Sequence, residues 1–234
     1  MQANDPTRLG SSPIAGAGHA VRLSLSETQA LCAKAARGAG FDWGHSDAAG
    51  HAAQWLAARG LPGCELLLQR LHSDALRPRA LGPSQDPDAA LCPVHLGTAL
   101  ADHAGLPEVT GQTALELGHV VLPGLLMPFL ATTARLSARH LRCSADEHSV
   151  TFRADGGPEE DRGLAALCTL PRAQIRVTFP PERRPQTQAQ NPPAELPLVP
   201  QHVWRALDAL ALRVTVPSST RSVSGAGSGG SDND

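Results

Sequence analysis

The apolar pattern of this chain changes its period near residue 115, and that switch limits the possible folds more than any other feature. Upstream, apolar and small residues recur at helical spacing: Thr28, Leu31, Cys32 and Ala35 form one stripe, and Ala48, Ala52, Trp55 and Leu56 form a second. Downstream, residues 115–122 read as a strand, and residues 141–144 and 149–153 flank the polar turn Ala145-Asp146-Glu147-His148. Residues 174–179 then alternate, with Ile175, Val177 and Phe179 opposite Arg176 and Thr178. Helical periods followed by strand periods predict an α+β fold, a helical N-terminal half packed with a small antiparallel sheet. With 41% apolar residues among 234, the chain can bury a real core. Four phenylalanines, three tryptophans and no tyrosine leave that core to Leu, Val and Ala, so each aromatic ring is a packing anchor.

Local signals set the boundaries. Ser24-Leu25-Ser26-Glu27 is a capping box that starts a helix, and Gly38 and Gly40 stop it. Phe41-Asp42-Trp43-Gly44 reads as a short turn before a second helix from about residue 46 to 59, so the two form an antiparallel hairpin. A shorter helical run covers residues 64–72, and Pro78, Pro83 and Pro87 break every period after it. Order resumes at Leu91-Cys92-Pro93 with a helix carrying Leu96 and Leu100 that Gly105 ends. The segment after Pro123 turns helical to about residue 139, with Pro128 in its first turns or kinking it. The organisation expected is a disordered leader (1–22), an α+β core (23–180), a Pro/Gln-rich linker (181–200), an amphipathic C-terminal helix docking on the core (201–216) and a Gly/Ser tail ending in acidic residues (217–234).

A formal charge of -2, with arginine spread along the whole length, offers no basic block to release counterions, so no nucleic-acid partner is expected. Five widely spaced cysteines without a C-x-x-C pair suit a reducing cytosol and argue against a disulfide framework and a structural zinc. The longest apolar run, residues 120–134, contains two prolines and falls short of the roughly 20 residues of a membrane span. Arg8 is followed by no apolar stretch, so no secretory signal is expected. A cytoplasmic protein is the expectation.

The positive charge comes from nineteen arginines and one lysine, Lys34. An ammonium that has to fit a small site cannot be exchanged for a guanidinium, which singles out Lys34; the alternative is an ordinary helix-surface cation. Lys34 and Arg37, with Trp43 in the turn beyond them, form a candidate ligand-binding set for an anion. Cys92 at a helix start has its thiolate favoured by the helix dipole, and His95 lies one turn on, so the two are the candidate catalytic residues; the alternative is a small core cysteine. No metal site is assigned. The tail contains Gly225, Gly227 and Gly230 in dinucleotide-motif spacing, but without the strand and helix that use it. It does carry Asp232 and Asp234, which complete the ligand-binding candidates by closing over an anion pocket or docking on arginines. Arg135 with Arg139, and Arg172 with Arg176, are further pairs able to clamp a carboxylate or phosphate, or simply to face water.

Ser24-Leu25-x-Glu27, Lys34-Ala35-Ala36-Arg37-Gly38-Ala39-Gly40, Trp43-Gly44, Trp55-Leu56-Ala57, Cys92-Pro93, Pro128-Phe129-Leu130 and Gly225-Ala226-Gly227 with Asp232-Asn233-Asp234 together resemble an uncharacterised family of soluble bacterial proteins, a domain of unknown function. The resemblance runs over about residues 23–234 and implies no reaction and no cofactor. The chain departs from it at Gly44-His45-Ser46-Asp47, where the family has a more acidic stretch. Two functions are open: a small-molecule site, binding or catalytic, for an anionic metabolite, or a non-catalytic accessory protein that docks on a partner enzyme through its tail.

Overall fold

In the computed structural model, residues 19–73, 90–180 and 196–214 are described. The Ser24 hydroxyl accepts from the Glu27 N–H at 3.2 Å, and the Glu27 carboxylate accepts from the Ser24 N–H at 2.7 Å. This capping box starts α1 (Leu25–Gly38). Gly40, at φ +101°, ends it: Gly40 N–H bonds the Arg37 carbonyl at 3.0 Å and Phe41 N–H the Ala36 carbonyl at 3.1 Å, the Schellman pattern. Gly38 has a different task from the stop signal expected of it, because it lies inside the helix where a Cβ would overlap the Leu210 carbonyl oxygen.

The second helix, α2 (Trp43–Ala57), begins three residues earlier than its periodicity suggests. Asp42 is its N-cap, accepting from the His45 N–H at 2.8 Å, so the residues read as a free turn are the cap and first turn of a helix. Gln54 Nε2 reaching the Leu25 carbonyl (3.2 Å) and Gln29 Nε2 reaching His51 (3.2 Å) confirm the antiparallel hairpin. It is completed by α3 (Gly63–Leu71).

Two three-residue strands close this helical layer. Here β1 (Ala20–Arg22) pairs antiparallel with β6 (Leu198–Pro200), Val21 opposite Val199, so the end of the expected leader and the end of the expected linker are both ordered. They lead into α8 (Gln201–Ala211), which buries Val203, Leu207 and Leu210 against α1. The core of this layer is mostly Cys32, Ala35, Ala36, Ala49, Ala52, Ala53, Leu56, Leu67 and the α8 leucines.

The second layer is a four-stranded antiparallel sheet in the order β2 (Ala114–Val121), β5 (Arg172–Thr178), β3 (Leu141–Ala145), β4 (His148–Phe152). Ala173, Ile175 and Val177 face inward from β5, and Arg172, Gln174 and Arg176 face out, with Arg176 paired to Glu116 across the strands at 3.1 Å. The inner face is covered by α6 (Met127–Ser137), which follows a 3-10 turn at Pro123–Leu126, and by α7 (Asp161–Thr169), a helix not foreseen from the pattern. Between the layers runs α4 (Pro93–Asp102), capped by Cys92 with Pro93 in its first turn as expected, followed by a single helical turn, α5 (Pro107–Thr110). Gly97 lets α4 meet the Phe129 ring of α6. Trp55 packs on both cores.

The fold is therefore α+β, with a helical N-terminal half and a C-terminal half built on the sheet. No helix among the described residues is long and apolar enough to cross a membrane. Residues 1–18, 181–195 and 215–234, which hold most of the leader, most of the linker and the whole acidic tail, lie outside the described residues, as do residues 74–89.

Candidate functional site

Three helix ends meet in the helical layer: the start of α2, the end of α3 and the start of α4. The Schellman turn after α1 delivers Phe41 inward and Asp42 to the cap of α2. Asp42 then accepts twice from His45, from its backbone N–H at 2.8 Å and from its Nδ1 at 2.6 Å. These bonds hold the Asp42 carboxyl below the usual carboxylate range, so it is ionised at neutral pH. A carboxylate facing Nδ1 orients the imidazole with a proton on that nitrogen. The His45 side chain is 28% exposed, so the pair lies at the surface edge of the cluster.

Behind it stands His95, one turn into α4. Its ring lies 4.1 Å from that of His45, and edge-on to Phe41 at 5.2 Å. Burial, then the nearby Arg70 charge, push its pKa below the ordinary histidine value, against the opposing pull of Asp42. His95 is thus neutral at neutral pH, and its buried Nδ1 has no hydrogen-bond partner among the described residues. Deeper still, Arg70 is 4% exposed at the end of α3. Its guanidinium lies 5.2 Å from the centre of the Phe41 ring, and its Nε donates to the Cys92 Sγ at 3.1 Å. Cys92 is held there because Leu91 is tied to the edge of β2, its N–H on the His119 carbonyl at 2.8 Å.

Of the sequence candidates, Cys92 and His95 join this cluster, although Cys92 is only 3% exposed. Arg37 and Trp43 meet each other: the guanidinium sits 4.6 Å over an indole that is 76% exposed, while its Nη1 donates to the Phe41 carbonyl at 2.8 Å. Lys34 is exposed on α1 and makes no hydrogen bond or ion pair among the described residues. Asp232 and Asp234 lie outside the described residues. Asp42, His45 and Arg70 are not among the site residues expected from sequence. An Asp three residues before a His at the head of an apolar run is N-cap spacing and gives a usable signal for the first two; Arg70 has no local signal.

Three further thiols, Cys32, Cys143 and Cys168, are poor nucleophiles. Burial pushes Cys143 up to about 12 and Cys168 up to about 11. Cys32 is raised first by its contact with Cys64, 3.8 Å away, and then by burial. Among the described residues no three His, Cys, Asp or Glu side chains gather as metal ligands.

The sequence model of a family described as a protein of unknown function (DUF3726) matches residues 23–102. That span holds Asp42, His45, Arg70, Cys92 and His95 and ends with α4, short of the extent to residue 234 that the resemblance implied. No curated protein and no solved structure matches the chain.

Proposed function

We propose that this protein binds a small anionic metabolite at the ends of α2, α3 and α4 and transfers a proton to or from it. The observation that carries this reading is the Asp42–His45–His95 array, a carboxylate-oriented imidazole packed at a tilt against a second, neutral one. His45 Nε2 is the acid–base group; such a group contributes roughly 10²–10⁴-fold to a rate. The N-terminal ends of α2 and α4, with Arg37 and Arg70 near them, supply positive potential for an anion. Lys34 contributes at most to that field from the outer surface. Cys92 acts as the buried acceptor that positions Arg70, and through it the His95 environment, in place of the nucleophilic role expected from its position alone.

The decisive variant is Asp42→Asn, because Asn caps a helix as well as Asp and should leave the melting temperature nearly unchanged. Mass spectrometry of the purified protein identifies any retained metabolite, whose turnover then falls by about 10²-fold or more in Asp42→Asn and in His45→Gln. Equal turnover in wild type and both variants would overturn the reading.

One observation favours the accessory alternative: an indole as exposed as Trp43, with a guanidinium over it, is the residue pair enriched at interface anchors. A complex that copurifies with wild type and is lost in Trp43→Ala would support that second reading.

A further inference from the structure

The far end of α2 carries a different chemistry. A hollow of about 460 Å³ opens where α2, α6 and the loop after β4 meet, and its wall includes Trp55, Arg59, Thr132, Arg135, Arg153 and Asp155. Three guanidiniums therefore face one carboxylate. Arg153 has two of its three nitrogens in use, Nε donating to Asp155 at 3.3 Å and Nη1 to the Pro158 carbonyl at 2.9 Å, which leaves Nη2 for a ligand. The Gly157 N–H, then Arg153, hold the Asp155 carboxyl below its usual range, so Asp155 is spent on its neighbour.

The other two arginines lack a counter-charge. Arg59 stacks 3.5 Å over the Trp55 ring and gives Nη1 to the Trp55 carbonyl at 3.0 Å, but its buried Nε has no partner among the described residues. Burial disfavours its charge and Asp161 favours it, yet the two form no ion pair among the described residues. The Arg135 side chain is exposed and makes neither a hydrogen bond nor an ion pair among the described residues. Gathering like charges in a half-buried hollow is unfavourable unless an anion neutralises them, and guanidinium forks match the planar or tetrahedral oxygens of carboxylate and phosphate. A groove of about 640 Å³ shares Trp55, Arg59 and Thr132 with this hollow and runs on past Ala52, Pro128 and Phe129. Both volumes lie in the range of small-ligand sites.

We infer that Arg59, Arg135 and Arg153 form an oxyanion site for a small organic acid, a carboxylate or phosphate ester, whose apolar remainder lies along the groove beyond Trp55. This site is separate from the Asp42–His45 array, since the 15 residues of α2 put about 20 Å between its two ends. It does not depend on the function proposed above. The arginines expected from sequence to act in pairs are redistributed: Arg135 joins Arg59 and Arg153, from other elements.

The test is a titration of the full chain with octanoate and, separately, with inorganic phosphate at constant ionic strength, followed by calorimetry and by the Nε–H resonances of Arg59 and Arg153. The expected result is saturable binding of at least one probe, with shifts confined to these resonances. The tighter probe tells carboxylate from phosphate. Arg135→Gln, at an exposed position that the fold does not need, should weaken binding by about 10-fold or more, and Asp42→Asn should leave it unchanged. No saturable binding of either probe below about 10 mM would overturn the inference. So would equal affinity in wild type, Arg135→Gln and Arg59→Gln, or shifts spread uniformly over all arginines.

Discussion

The two layers of this protein are packed by opposite means. Where α1 meets α8 and α2 there is no room to add an atom: a Cβ on Gly38 would overlap a carbonyl of α8, and one on Gly50 would come within 2.7 Å of the Gln29 carbonyl on α1. The helices approach over alanine and glycine, and the buried Thr28 and Ser46 turn their hydroxyls back on backbone carbonyls at 2.9 and 2.6 Å. The sheet layer is filled by large side chains, with Phe152, Leu130, Leu141, Leu164, Leu167 and Ile175 fully buried, and there is little to spare. Close backbone approach fixes helix ends relative to one another, and this is where Asp42, His45 and His95 are assembled. The three-arginine hollow lies at the seam, beside the Trp55 ring that both cores share.

The largest expected effect comes from adding volume to the first layer. Gly38→Val should force α8 away from α1 and expose Val203, Leu207 and Leu210, a loss on the order of 5 kcal/mol in chemical denaturation. Removing volume from the second layer with Phe152→Ala should cost about 3–5 kcal/mol. A small cost for Gly38→Val beside a large one for Phe152→Ala would break the contrast, since the helical layer would then have slack.

A middle-sized effect tests how far the tight layer rests on local signals. Ser24→Ala removes one half of the capping box and should lower stability by about 1 kcal/mol, read by the same denaturation. The smallest effect concerns His95. Its folded-state pKa lies below the ordinary 6.5, so its contribution to stability is fully present above pH 6.5 and is lost as pH falls from there through the folded value. His95→Gln should therefore flatten the decline of stability between pH 6.5 and the acid range, and the wild-type His95 ring should titrate in NMR below the ordinary histidine value. A ring that titrates above the ordinary value would remove the argument that His95 is held neutral.

Legibility from sequence followed the range of the forces. The Ser24/Glu27 box, the Gly40 stop, the Cys92–Pro93 helix start and the alternation of β5 act within a few residues, and each was readable. Gly38 was misread because a glycine near a helix end looks the same whether it ends the helix or admits a neighbour. Asp42 was hidden because its capping bond turns an apparent loop into the first turn of α2. Nothing local marks β1 and β6, whose three-residue strands pair with Val21 and Val199 opposite each other across most of the chain.

The amino-acid order alone determined most element types, the α+β class and the helix starts at Ser24 and Cys92, because periodicity and capping are short-range. Which side chains share a site was decided only by the tertiary packing. Arg70 reaches Cys92, His95 packs against His45, and Arg59 and Arg135 line one hollow because backbones that small residues allow to approach bring distant positions together. No pattern along one segment encodes a contact between segments, and so the candidate chemistry became visible only when the layers closed.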